Sequence, residues 1–195
     1  MLTLMGHSQI LQQLLGLFFS NPASKYYLRE IERLTKKPVG SLQRHLAQLE
    51  KEGVLKSWKE GPLKYFSLNL EYPYFSELKS VVLRELRRKE LQKNLQKILK
   101  SLKEKYRPEK VILFGSLARG WVSPESDLDL LIIKHDVPKR YWDRVKELAP
   151  LLSNSDVGVD YVIWTPQELA EGIGTNLFLK KEMLSKGKVV YERAA

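Results

Sequence analysis

The first stretch of the chain is patterned for helices. Ile10, Leu11, Leu14, Leu15, Phe18 and Phe19 recur at helical spacing until Asn21-Pro22 stops the run. Leu28, Ile31 and Leu34 predict a second, short helix that Lys36-Lys37-Pro38 ends. Val39, Leu42, Leu46 and Leu49 predict a third over about 39–52, with Gly53 suited to its C-terminal cap. Two β-like runs follow, 55–59 and 64–70, separated by the turn signal Glu60-Gly61-Pro62. Residues 74–106 then read as one long helix or two abutting ones. One stripe is Phe75, Leu78, Val82 and Leu86, continued by Leu91, Leu95, Ile98, Leu102 and Tyr106. From Pro108 onward strands and helices alternate. Strands are expected over 110–114, 127–133, 157–164 and 188–191. Helices are expected over 141–152 (Tyr141, Val145, Leu148 and Leu152 inward), from Pro166 after a Thr165 N-cap, and over 177–185.

Charge divides the chain as the pattern does. Residues 1–110 hold 22 Lys/Arg against 11 Asp/Glu, and residues 111–195 hold 11 against 12, so the whole net charge of +10 lies in the first part. Such asymmetry points to nucleic acid or another polyanion, or else to a solvated basic helix face. The exposed side of the long helix is crowded with Arg84, Arg87, Arg88, Lys89, Lys93, Lys97, Lys100 and Lys103. Its narrow apolar stripe suits a linker helix that pairs with a partner helix, hence a homodimer; the alternative is packing on its own chain. The 43% apolar content is that of a globular protein, and no apolar run is long enough to span a membrane. A secretory signal is not expected, because Gln9, Gln12 and Gln13 interrupt the first apolar run and no basic segment precedes it. The chain has no cysteine, which excludes a disulfide scaffold, a thiolate zinc site and a cysteine nucleophile, and fits a cytoplasmic setting. The isolated His7, His45 and His135 suggest no metal site.

Three short helices and a basic hairpin are the parts of a winged helix-turn-helix. The third helix would enter the major groove of double-stranded DNA, presenting Ser41, Gln43, Arg44 and Gln48, with Lys56, Lys59 and Lys64 of the hairpin reaching phosphates. The stretch from Val39 to Asn69 resembles the recognition helix and wing of the ArsR/MarR-like winged-helix regulators. Winged helices also serve as protein-binding modules, so that reading stands beside DNA binding.

The segment 111–133 carries the chemistry. A strand ends at Gly115-Ser116, ten residues follow, and then Asp127-Leu128-Asp129. Period-2 alternation places Asp127 and Asp129 on one face. Paired carboxylates there repel each other and lose hydration, a cost that Mg²⁺ relieves by taking carboxylate oxygens together with substrate phosphates. Asp160 stands mid-strand between Val159 and Tyr161, where an apolar residue is normal. With strand 157–164 beside strand 127–133, three carboxylates would converge and could hold two divalent ions for nucleotidyl transfer. Gly115 allows close approach to a phosphate, Ser116 offers its hydroxyl and N–H, and Arg119 is either a phosphate contact or a loop-ordering residue. Glu125 and Asp156 read as solvated. Trp121 and Trp164 could flank a base, or pack.

Gly115, Ser116, Asp127 and Asp129 in this spacing resemble the nucleotidyltransferases of the DNA polymerase β superfamily. They look especially like the minimal ones, often antitoxin-like partners of HEPN-domain toxins. The resemblance covers about 108–192. It implies that Gly115 and Ser116 hold the triphosphate of ATP or another NTP, that Asp127 and Asp129 bind both Mg²⁺ ions, and that Asp160 is the third acid. The expected architecture is α/β (α+β). A winged helix over 1–72 and a long basic linker helix over 73–107 precede a nucleotidyltransferase fold over 108–195, a mixed β-sheet flanked by helices. The expected activity is NMP transfer to a protein or RNA acceptor, with autoregulation through DNA. A non-catalytic regulator that senses nucleotide is the alternative, and modification of a small molecule such as an aminoglycoside is a weaker third.

Overall fold

The computed structural model describes residues 8–175 and 179–193. His7 and Leu177, considered above, lie outside them. The chain divides into two compact units between Leu86 and Arg87.

The first unit contains α1 (Gln9–Ser20), β1 (Lys25–Tyr27), α2 (Leu28–Thr35), α3 (Val39–Lys51), β2 (Leu55–Glu60) and β3 (Leu63–Leu68). The strands form an antiparallel sheet in the order β1-β3-β2. Gly61 turns the β2–β3 hairpin with a φ of 57°, which an L side chain would resist. Its core joins Leu14, Leu15, Phe18 and Phe19 of α1 to Ile31, to Leu42, Leu46 and Leu49 of α3, and to Phe66 and Leu68 of β3. Two details depart from the pattern. β1 was not apparent in the sequence, being three residues long. Leu34 is 49% exposed, because α2 has only two turns and buries Ile31 alone.

Helix α4 (Phe75–Ser101) continues into a π-helical turn, Leu102–Tyr106. The apolar stripe of this helix packs on its own chain, the alternative set beside helix pairing above. Leu78 and Val82 are buried in the core of the first unit, and Leu91, Leu95, Ile98, Leu99, Leu102 and Tyr106 in that of the second. These stripe residues are buried within the chain itself. Among the described residues no helix is long and apolar enough to cross a membrane.

The second unit is built on β4 (Lys110–Phe114), β5 (Leu128–Ile133), β6 (Val159–Trp164) and β7 (Lys188–Glu192), in the order β6-β5-β4-β7. β4 pairs antiparallel with β5 and β7, and β5 pairs parallel with β6, so the sheet is mixed as expected. Helices α5 (Gly115–Arg119), α6 (Tyr141–Leu152) and α7 (Pro166–Thr175) and a second π-helical segment (Leu179–Leu184) complete it. One face of the sheet (Val111, Leu113, Leu128, Leu130, Ile132, Ile163) packs with residues of α4 and α6. The other face (Ile112, Phe114, Leu131, Ile133) is covered more thinly, by Met183 with Leu169 and Leu184.

The inward line of α6 also differs from its apolar spacing. Arg144, Leu148 and Leu152 are buried, whereas Tyr141 is 41% exposed and donates its hydroxyl to the Tyr161 carbonyl at 3.2 Å. An arginine can occupy a core position because each of its groups is met. Nε donates to Pro138 O at 2.6 Å, Nη1 to Ile163 O at 3.0 Å, and Nη1 and Nη2 to Glu168 at 2.6 and 2.8 Å. Glu168 also closes a capping box: its carboxylate accepts Thr165 N–H at 2.8 Å while Thr165 Oγ1 accepts Glu168 N–H at 3.1 Å. Arg144 therefore ties α6, the edge strand β6 and the start of α7 together.

The Arg144 guanidinium holds the Glu168 carboxyl down at about 2, from an ordinary 4.5. A carboxyl lowered on folding stabilises the protein fully above its unfolded value and loses that contribution as pH falls toward the folded one. Arg144→Ala should cost about 2–3 kcal/mol at neutral pH, since it strands a carboxylate and two carbonyls. The deficit against wild type should shrink between about pH 4.5 and pH 2. Urea unfolding across that range checks both, and a variant with the wild-type midpoint throughout would show the pair to be idle.

Candidate active site

Strand register decides which acids meet. Phe114 of β4 pairs with Asp129 of β5, and Asp129 pairs with Asp160 of β6. Cross-strand partners share a face, so Phe114, Asp129 and Asp160 form one row across three strands, on the thinly covered side. The rows beyond it, Ile112–Leu131–Val162 and Lys110–Ile133–Trp164, show that Trp164 shares the face of Asp160. Trp164 is half-buried beside the core that contains Phe114 and Ile133, which is packing rather than an open base platform. Trp121 is 84% exposed just past α5.

Asp127 precedes the first residue of β5 and lies against Gly158, just before β6. Leu128 N–H donates to Gly158 O at 3.0 Å, and a Cβ built on Gly158 would stand 2.6 Å from the Asp127 Cγ and Oδ1. Gly115 plays the same part for Asp129. Its φ is +69°, and a Cβ there would sit 1.8 Å from Asp129 Oδ2. Each carboxylate thus occupies the space that a side chain would fill on a neighbouring backbone. A glycine inside a strand pattern signals such an approach, and Gly158 between Val157 and Val159 carries that signal.

Burial pushes the Asp129 carboxyl above its usual range, and the negative charges of Asp160 and Asp127 push the same way. Arg119 and the Ser116 backbone N–H lower it. The Ser116 N–H, expected to point at phosphate, is therefore donated to Asp129, the nearest anion behind the turn. Arg119 binds Glu182 at 2.8 Å, and Glu182 also accepts from Lys186 at 2.6 Å. Asp127 is half-exposed, and Arg87 of α4 reaches its Oδ1 at 3.3 Å. Arg87 and Glu182 were not singled out in the sequence: one is a basic residue among many on α4, the other an acid far along the chain. Asp156, read as solvated, pairs with Lys97 at 2.8 Å, which lowers its carboxyl.

The donor set suits a hard divalent cation, since every group is a carboxylate oxygen and Asp129 carries an excess of negative charge around it. Among the described residues no group of three or more His, Cys, Asp or Glu side chains is arranged to hold a metal ion. Magnesium keeps waters and substrate phosphates in its shell and needs only one or two protein carboxylates.

The DNA-facing candidates of the first unit are placed as follows. Gln43, Arg44 and Lys59 are exposed. The Ser41 carbonyl accepts from His45 Nδ1 at 2.7 Å, and His45 Nε2 meets Ser8 Oγ at 2.9 Å, so His45 braces α3 against the start of α1. Gln48 bonds Glu52 at 3.0 Å; Lys56 pairs with Glu71 at 2.6 Å and Lys64 with Glu50 at 2.8 Å. These hairpin charges are partly offset within the chain.

Because φ at Gly115 is positive and the Cβ space is taken, Gly115→Ala should displace Asp129 and abolish the nucleotide binding expected of this turn. Equilibrium dialysis with ATP and a melting curve check this, and wild-type binding by the variant would show that the cradle does not matter.

The family model described as a nucleotidyltransferase domain matches residues 95–190. A Methanocaldococcus jannaschii protein named "Putative protein adenylyltransferase" is 34% identical over 103 residues, covering 51% of this chain and 97% of that protein. A second of the same name and organism is 31% identical over 105 residues, covering 51% and 70%. The crystal structure of a "putative nucleotidyltransferase" from Sulfolobus solfataricus superposes with a TM-score of 0.43 at 18% identity, over 57% of this chain and 88% of that one. With its matching segment spanning the carboxylate row and both glycine cradles, the chain belongs to the nucleotidyltransferase domain family.

Proposed function

We propose that the second unit transfers AMP from ATP to a hydroxyl group of a protein acceptor, and that the first unit is a winged helix that binds double-stranded DNA. The observation that carries the first part is the register pairing Asp129 with Asp160, beside the Gly115 cradle. Gly115 and the Ser116 hydroxyl would seat the triphosphate, with Arg119 close enough to Asp129 to shift its carboxyl. The acceptor oxygen attacks the α-phosphorus, the bond to the β-phosphate oxygen breaks, pyrophosphate leaves, and the acceptor proton passes to a base, a role that Asp160 would fill. Asp127, Asp129 and Asp160 would hold two Mg²⁺ ions, which supply charge neutralisation for the attacking and leaving oxygens. Loss of one of the three aspartates should be nearly fatal to transfer.

A protein acceptor is favoured over RNA by the names of the archaeal relatives. The family resemblance makes a HEPN-type toxin one candidate, with DNA binding serving autoregulation. For DNA binding, the supporting features are the exposed Gln43 and Arg44 on α3, the β2–β3 hairpin and the excess positive charge of residues 1–110.

Asp129→Asn should fold normally and lose label transfer from α-labelled ATP with Mg²⁺ in a host extract, by at least about a thousandfold. Labelled protein with the wild type alone supports the reading. No label despite retained ATP binding would favour a nucleotide-sensing regulator, and labelled RNA would change the acceptor class.

DNA affinity should fall steeply with salt, because phosphate contacts release counterions. Arg44→Ala should weaken a specific site by about 1–3 kcal/mol and random DNA much less. Fluorescence anisotropy at two salt concentrations reads both, and equal losses on both DNAs would make Arg44 a phosphate contact.

A further inference from the structure

We propose that Arg87 and Gly158 form a clamp that sets the Asp127 carboxylate for the cation, which makes Arg87 a positioning residue of the transfer site. The inference rests on the magnesium reading of the three aspartates and adds two residues that the Gly-Ser and Asp-x-Asp motifs do not contain.

Arg87 is the first residue of the second unit, and its side chain is only 18% exposed. The guanidinium uses all three of its nitrogens. Nε donates to the Ser126 carbonyl at 2.8 Å, Nη2 to Asp127 Oδ1 at 3.3 Å, and Nη1 to Glu90 Oε2 at 2.9 Å. One planar fork therefore grips both the main chain just before Asp127 and the Asp127 side chain. Glu90, three residues along α4, holds the fork from the other side. An ammonium group lacks this planar fork and cannot reproduce its directions.

Gly158 supplies the opposite jaw. Its backbone accepts the bond from Leu128 N–H, and its missing side chain leaves the space in which the Asp127 carboxylate lies. Asp127 stands outside the β5 ladder, so strand pairing alone does not orient it. Asp129, by contrast, is inside the ladder, flanked by Phe114 and Asp160. Of the two acids of the motif, Asp127 is the one that needs outside support, and it receives that support from α4 and from the approach to β6.

Positioning and simple charge make opposite predictions. As a mere positive charge, Arg87 would oppose a bound cation, and its removal would tighten metal binding. As a positioning residue, its removal loosens Asp127 and weakens binding, by roughly 10–100-fold, as is usual for groups that orient metal ligands. The experiment is a titration of the full-length protein with Mn²⁺ alone, read by electron paramagnetic resonance. It compares wild type, Arg87→Ala, Arg87→Lys and Gly158→Ala, each checked for an unchanged melting transition. The clamp predicts weaker Mn²⁺ binding for Arg87→Ala and Gly158→Ala, and little recovery with Arg87→Lys despite the retained charge. Wild-type or tighter binding by Arg87→Ala overturns the clamp alone. Full recovery by Arg87→Lys also overturns it, since charge would then suffice. No Mn²⁺ binding by the wild type overturns the magnesium reading itself.

Discussion

The transfer unit turns on a conflict of charge. Asp127, Asp129 and Asp160 are brought to one end of a sheet face, and burial raises the Asp129 carboxyl together with its neighbours' charges. A fold selected for stability alone would not gather acids this way. The surrounding residues contain the conflict locally: glycines make room for the carboxylates, the Ser116 N–H and Arg119 offset charge at Asp129, and Arg87 offsets it at Asp127. Clustered acids with one carboxyl raised by burial and by its neighbours' charges mark a candidate functional site.

The rest of the unit keeps that arrangement rigid. β5 is the strand that matters, flanked by β4 and β6 and buried on both faces from Leu130 to Ile133. β6 is an edge strand and is less securely held by the sheet. Arg144 compensates by meeting the Ile163 carbonyl and fastening β6 to α6 and α7 through Glu168. A buried arginine with four distinct acceptors is costly to desolvate but specifies one geometry, and that geometry fixes the strand bearing Asp160. Tyr106 shows the opposite case: its hydroxyl is buried without a partner, and burial pushes its ionisation up to about 12.

Helix α4 joins two concerns that are separate in the sequence. Its apolar residues are divided between the cores of the two units, and its polar side supplies Arg87 to the aspartates and Asn94 to the loop before β6, where Asn94 Oδ1 accepts Asp156 N–H at 3.0 Å. The crowding of basic residues on this helix is thus not one property. Arg87 and Lys97 are committed to Asp127 and Asp156, while Lys93, Lys100 and Lys103 remain on the exposed side.

Much of this protein was legible in its sequence because periodicity reports burial directly. The helices α1, α3 and α6 and the strands β4 and β5 lie within a residue or two of where apolar spacing puts them. The Gly-Ser turn and the two acids of 127–129 could be read from spacing, and Asp160 stood out as an acid where a strand core is apolar. Contacts between distant segments were not legible. Periodicity carries no information on which strand lies beside which, so only the register could pair Asp129 with Asp160 and Asp127 with Gly158. Nor does it say whether an amphipathic stripe faces its own chain, and the α4 stripe does. Arg87 and Arg144 looked like any solvated arginine, because their roles depend on partners 40 and 24 residues away that meet them only in the folded chain.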